Sequence, residues 1–171
     1  MLIGLLSDTH IAFPNERLPR QIADTFRGVD LILHAGDIWI PSVLDELEPV
    51  APVRAVWGDD DMEADLGDDT RMMRERTLVL DGVTLWLTHV KPAYGLIKPK
   101  EESPSSVADP EDHPDVIIFG HTHFATIEDY KGVLLVNPGS PTVPSYVPKL
   151  GNVALLSINS GVVKARIVQL E

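Results

Sequence analysis

An α/β fold of two packed sheets with helices outside is what this sequence predicts, on three observations. Short apolar runs alternate with helical stretches through the first half, the βαβαβ order that makes a parallel sheet. In the second half the runs fold straight back through two-residue turns, as antiparallel hairpins do. The 171 residues are 44% hydrophobic with a mean hydropathy of +0.04, enough for one buried core and a single domain over 1–171.

Taken in order, "MLIGLL" (1–6) opens the chain as a strand. A helix follows over about 17–27, where Ile22, Ala23 and Phe26 share one face, and "LILHAG" (31–36) is the second strand. Val43, Leu44 and Leu47 mark a second helix over about 41–48, and "PVRAVWG" (52–58) is the third strand. "LVLDGVTLWLTH" (78–89) turns back at Asp81-Gly82, and "DVIIFG" (115–120) is a short buried run. "FATIEDYKGVLLVN" (124–137) turns at Lys131-Gly132 and "NVALLSINSGVVKARIV" (152–168) at Ser160-Gly161, each a hairpin signal. Residues 98–115, rich in Pro, Ser and acids, break this order and read as an exposed loop, either a surface insertion or a flap over a site.

Composition narrows the function classes. Apolar runs of about five to eight residues fall short of the ~20 that a membrane helix needs, so no membrane partner is expected. Met1–Leu6 carries no basic leader region and the chain has no cysteine, which together suit a cytoplasmic protein. Without thiolates, any metal must be held by nitrogen and oxygen. A net charge of −12 argues against nucleic acid as a partner, because such binders set Lys and Arg along the phosphates. A small phosphate ester remains compatible, provided that a metal supplies the positive charge.

Candidate metal ligands gather where apolar runs end. "SDTH" supplies Asp8 and His10, "HAGD" supplies Asp37, and "WGDDD" supplies Asp59, Asp60 and Asp61. His89 closes "LTH", and "GHTH" supplies His121 and His123. The carboxyl ends of parallel strands line the crevice of an open α/β sheet, and this mixture of carboxylates and imidazoles suits Mn²⁺, Fe²⁺, Zn²⁺ or Mg²⁺. If "GHTH" is extended, its alternation turns both imidazoles to one side. Each motif alone is as readily a turn or a cap; their joint occurrence in this order points to a metal site.

The ordered set D-x-H (Asp8, His10), GD (Gly36, Asp37), G-[N/D]-x-D (Gly58 to Asp61), H (His89) and GHTH (Gly120 to His123), followed by NPGS (137–140), resembles the calcineurin-like metallophosphoesterases. Within that family it is most similar to the small single-domain bacterial and archaeal phosphodiesterases, over nearly the whole chain. The resemblance implies an αββα sandwich of two mixed β-sheets flanked by helices. It implies that Asp8, His10, Asp37 and His123 surround one divalent ion, and that Asp37 bridges to a second held by Asp59, His89 and His121. Two such ions, Mn²⁺ by preference with Ni, Fe, Zn or Mg as alternatives, would activate water against a phosphate diester or an activated monoester. Asp37 and Asp60 are then the catalytic candidates, no organic cofactor is called for, and a homo-oligomer accords with relatives that form dimers or tetramers.

Two departures from the family pattern qualify this expectation. Asp59 stands where the family usually has Asn, so an extra negative charge would tighten cation binding but repel phosphate. Asp60 stands where many relatives have a catalytic His, and an ordinary Asp, with a reference pKa of ~3.9, is a poor proton donor at neutral pH. The alternative reading is a catalytically weak or inactive scaffold of the same fold, like the retromer subunit that the family includes, although such descendants tend to lose histidines that are all present here. A calcium-loop reading of 59–69 fails, because Ala64 stands where a Gly is needed and Thr70 where a Glu is needed. An amidohydrolase would want an H-x-H pair on the first strand, where Asp8-Thr9-His10 gives one His. Trp39 and Trp57 are candidates to line a cleft or pack its rim, and NPGS either offers N–H groups to phosphate or forms a plain turn.

Overall fold

The computed structural model describes residues 1–98 and 113–171. Strand β1 (Leu2–Leu6) buries side chains on both faces: Ile3 and Leu5 join one core cluster and Leu6 another. A strand buried on two sides needs a layer on each, and the chain supplies a second sheet on one side and helices on the other. The first sheet runs β11-β10-β1-β2-β3-β4, with β2 (Leu31–His34), β3 (Val53–Val56) and β4 (Met72–Met73) parallel to β1. The closing hairpin, β10 (Asn152–Asn159) and β11 (Val162–Gln169), adds to its edge antiparallel to β1. The second sheet runs β5-β6-β7-β9-β8, from β5 (Arg76–Leu80), β6 (Val83–Leu87), β7 (Val116–Ile118), β8 (Thr126–Tyr130) and β9 (Val133–Asn137). Its core strands β6, β7 and β9 are parallel, and both of its edges are hairpin partners.

Between the sheets Ile3, Leu5, Leu33 and Val56 meet Leu85, Leu87, Val116, Ile118 and Val136 in a fully buried layer. On the other face of the first sheet lie α1 (Arg20–Thr25), α2 (Ser42–Leu47) and α3 (Glu63–Leu66), packed through Ile22, Phe26, Val43, Leu44, Leu47 and Leu66. Gly4 is required in β1 because the Phe26 ring lies where its side chain would be, with ring atoms 2.9 Å from a Cβ built there. The outer face of the second sheet carries a smaller cluster of Ile97, Ile117, Phe119, Val133 and Leu135. Among the described residues no helix is long and apolar enough to cross a membrane.

The three hairpin signals hold in detail. Asp81-Gly82, Lys131-Gly132 and Ser160-Gly161 all have positive φ at both central residues, the type I′ turn that matches strand twist. Other expectations need correction. The first helix spans Arg20–Thr25 instead of 17–27, because Pro19 sits at ψ 123 and the residue before a proline is disfavoured in helical backbone. Neither β4 nor α3 was legible: two residues and four residues are too short for a periodic pattern. Of the two readings open for Trp57, packing holds: it lies partly buried against the helical core. Residues 99–112, most of the segment read as an insertion or flap, lie outside the described residues.

Candidate metal centre

Past the strand ends, the chain turns sharply. Asp8, His10, Asp37, His121 and His123 all hold positive φ, between 44° and 69°, as does Trp39 at 76°. Non-glycine residues are uncommon there, Asp and His less so than most, and such backbone persists only where its surroundings over-determine it. The expectation of an extended GHTH is therefore wrong: β7 stops at Ile118, and both imidazoles are aimed by left-handed turns. Nor do they serve one group, since His121 and His123 fall on opposite sides of the centre.

Two groups result. Asp8, His10, Asp37 and His123 each offer a donor atom within 4.8 Å of the others, and so do Asp59, His89 and His121. Each group draws side chains from both sheets. Asp37 stands between them, its Oδ2 lying 3.4 Å from His10 Nε2 and 3.3 Å from His89 Nε2. Asp59 Oδ1 lies 2.7 Å from His89 Nε2 and 2.9 Å from His121 Nδ1, while Asp8 Oδ1 is 3.7 Å from His123 Nε2. Asp60 is at the rim, its carboxylate 59% exposed and 3.9 Å from His10 Nδ1, and its N–H donates to Asp37 Oδ1 at 3.0 Å. The structure thus gathers all seven expected ligands and sets Asp60 beside them.

The donor chemistry fits divalent cations. Nδ1–H of His89 donates to the Ala35 carbonyl at 2.7 Å and Nδ1–H of His123 to the Val143 carbonyl at 2.9 Å, which leaves the His89 Nε2 lone pair facing the Asp37 and Asp59 carboxylates and the His123 Nε2 lone pair accepting from His10 Nε2 at 3.1 Å. His89 Nε2 is buried and, despite its closeness to Asp59 and Asp37, meets neither in hydrogen-bonding geometry. Lone pairs set against carboxylates call for a shared positive charge, a proton or a metal. Burial lowers the His10 pKa, keeping that imidazole neutral as a ligand must be. At His89 burial works the same way, but the Asp37 carboxylate and the Ala35 carbonyl outweigh it and raise the pKa to about 9. Burial raises Asp8, partly offset by the Ser7 hydroxyl. Asp37 and Asp59 are also desolvated, yet the His89 imidazole beside the first and the hydrogen bond of His121 to the second hold both below the usual carboxylate range.

Residues 1–161 match the Calcineurin-like phosphoesterase superfamily domain. The chain belongs to that superfamily. It is 40% identical over 145 residues to a probable metallophosphoesterase of Methanothermobacter thermautotrophicus, covering 84% of this chain and 79% of the relative. It is 30% identical over 141 residues to a phosphodiesterase of Methanocaldococcus jannaschii, covering 81% and 83% respectively. Among solved structures, an archaeal phosphodiesterase superposes with a TM-score of 0.68 at 24% identity, over 98% of this chain and 100% of the other. Zinc-bound Vps29 of Entamoeba histolytica gives a TM-score of 0.68 at 21% identity over 99% of each chain, a likeness of fold. The phosphoesterase fold and the metal-type donor cluster thus occur together in one chain.

Several residues brace the centre in ways that the sequence does not announce: Asp61 stood among the candidate ligands, and NPGS as a phosphate contact or a plain turn. Asp61, quoted within its motif, accepts from four backbone N–H groups: Asp37 at 3.0 Å, Ile38 and Trp39 at 2.7 Å, and Gly58 at 2.8 Å. Gly58 must lack a side chain, since a Cβ there would overlap the Asp37 carboxylate. Buried Asn137 donates to the Gly120 carbonyl at 2.8 Å and accepts from Gly139 N–H at 2.8 Å. Ser140 donates to the Asp8 carbonyl at 2.7 Å and Thr142 to the Thr9 carbonyl at 2.7 Å. NPGS is therefore a clamp between the two halves of the site, with the Gly139 N–H taken internally and not turned to phosphate. Tyr146 stacks on His123 with ring centroids 4.1 Å apart, a contact that no local sequence pattern signals. His34 is buried beneath, 3.2 Å from the Thr9 hydroxyl, with a pKa lowered to about 3 by burial.

Replacing Asp61 by Ala strands four backbone donors, so the variant is expected to lose about 2–3 kcal/mol in urea unfolding and at least tenfold in Mn²⁺ affinity. Wild-type stability and affinity in that variant would refute the role. His89 gives a pH-dependent expectation. Its raised pKa means that the metal-free protein holds a proton there below about pH 9. Binding a cation must release that proton, so affinity climbs as pH rises toward 9 and levels off above it. Calorimetry at pH 7.5 in buffers of different ionisation enthalpy should report about one proton released on metal binding; no buffer dependence would contradict it.

Proposed function

We propose that this chain is a metal-dependent hydrolase of phosphate diesters or activated monoesters, working with two divalent ions of which Mn²⁺ is the one we assign. The reading rests on one observation above the others: Asp37 Oδ2 stands 3.4 Å from His10 Nε2 and 3.3 Å from His89 Nε2, between two complete donor groups. Asp8, His10, Asp37 and His123 would hold one ion, and Asp59, His89 and His121, with Asp37 shared, the other. When bound, such a pair supplies Lewis acidity toward the phosphoryl oxygens and an activated water as nucleophile.

The chain's own residues shape what can react there. Asp37, charged and braced by the Asp60 N–H, keeps the two donor groups at a fixed separation. Asp59 and Asp60, both more than half exposed, carry negative charge to the mouth of the site. Their repulsion weakens dianionic monoesters more than monoanionic diesters. With Asp60 a carboxylate at the rim beside His10, departure depends on the leaving group's own stability as an anion, so aryl esters are favoured over alkyl ones.

The likeness to Vps29 supports a second reading, a scaffold of this fold that hydrolyses slowly or not at all. The completeness of both donor groups favours the enzyme. Hydrolysis of bis(p-nitrophenyl) phosphate by metal-stripped protein separates the two. Adding Mn²⁺ should restore turnover, Asp37→Asn should lower it at least about a hundredfold, and alkyl monoesters should react far more slowly than aryl diesters. Equal rates on alkyl and aryl monoesters would overturn the leaving-group argument. Full metal binding without any turnover would favour the scaffold.

A further inference from the structure

Beside the first donor group lies a cavity of about 310 Å³ lined by Ala12, Trp39, Ile40, Asp60, Met62 and Asp65. Two of its walls touch the centre directly. The Trp39 ring meets His10 edge to face with centroids 4.9 Å apart, and Asp60 Oδ2 lies 3.9 Å from His10 Nδ1. Trp39 is held there in left-handed backbone, φ 76°, by the N–H bond that it gives Asp61 at 2.7 Å. Met62 is 66% exposed, and Phe13, next in the chain to Ala12, is 61% exposed. Met62, in the cavity wall, thus leaves apolar surface open beside a charged centre. A larger cavity of about 670 Å³ along β4, β5 and β6 contains none of the donor residues.

A phosphoryl group seated between the donor groups extends its organic substituents away from them, and the space past His10 leads into the cavity. The walls there are apolar, from Trp39, Ile40, Met62 and Ala12, and the charges among them are the carboxylates of Asp60 and Asp65. We propose that this cavity is the subsite for an uncharged aromatic arm of the phosphate ester, an inference that rests on the phosphoesterase reading above. A volume of about 310 Å³ admits an aromatic ring system, at the small end of known ligand pockets. Asp60 and Asp65, both exposed at the cavity's edge, disfavour arms that carry a further anionic group through like-charge repulsion. The structure therefore assigns the substrate as an ester whose only negative charge is at phosphorus.

Ligands with a single organic arm test this without turnover. Calorimetry would measure methylphosphonate, phenylphosphonate and 4-carboxyphenylphosphonate binding to Mn²⁺-loaded protein. Phenylphosphonate should bind about tenfold more tightly than methylphosphonate, and the carboxyphenyl compound should lose that gain. Met62→Asp should abolish the phenyl preference while weakening methylphosphonate only slightly, and Asp65→Asn should restore part of the carboxyphenyl affinity. Methylphosphonate binding with no gain for phenyl, or a phenyl preference that survives Met62→Asp, would overturn the subsite and leave the phosphoesterase reading intact. No binding of any phosphonate to the metal-loaded protein would overturn the phosphoryl site itself, and the subsite with it.

Discussion

One buried carboxylate, Asp37, has to face two donor groups at once, and the rest of the site is arranged around that constraint. Each group takes side chains from both sheets, so neither exists unless the sheets are held face to face in a fixed relation. The layer of Ile3, Leu5, Leu33 and Val56 against Leu85, Leu87 and Ile118 provides that relation. Because interiors of this kind are close-packed, small sliding of one sheet over the other is resisted, and the donor atoms inherit the stiffness of the core.

The same constraint explains the backbone strain. A strand that simply continued would carry Asp37 past His89; a left-handed turn immediately after Gly36 points it back between the groups. Left-handed backbone costs roughly 1–2 kcal/mol per non-glycine residue, and five ligands adopt it. Hydrogen bonds from outside each turn offset that cost. Asp61 holds the Asp37 loop through three N–H groups and its own turn through that of Gly58, Asp8 accepts the His121 N–H at 2.9 Å, and Asn137 and Ser140 tie the last loop to the first. The centre is thus built from turns that only make sense together.

That interdependence sets what could be read in the sequence. Strand runs and I′ hairpins are local, so Asp81-Gly82, Lys131-Gly132 and Ser160-Gly161 announced themselves, and ligand-type residues at run ends could be listed in order. Turn handedness is decided by distant partners. Nothing near residues 120–123 says that Asp8 will accept the His121 N–H, so the extended reading of GHTH was natural and wrong. Asp61 looked like one more acid in an acidic run, although its carboxylate is spent on backbone. Trp39 and Trp57 were indistinguishable by neighbours alone; one packs on His10 and the other, partly buried, against the core.

Charge ties the structure to its chemistry. A chain of net charge −12 that gathers carboxylates and imidazoles at the carboxyl ends of its strands has made a site whose donors suit divalent cations. The most direct test is electron paramagnetic resonance of metal-stripped protein titrated with Mn²⁺. If Asp37 is shared, two ions bind per chain, and the second converts the isolated-ion signal into an exchange-coupled one, a conversion that Asp37→Ala abolishes. One ion per chain, or two that remain magnetically isolated, would contradict the account.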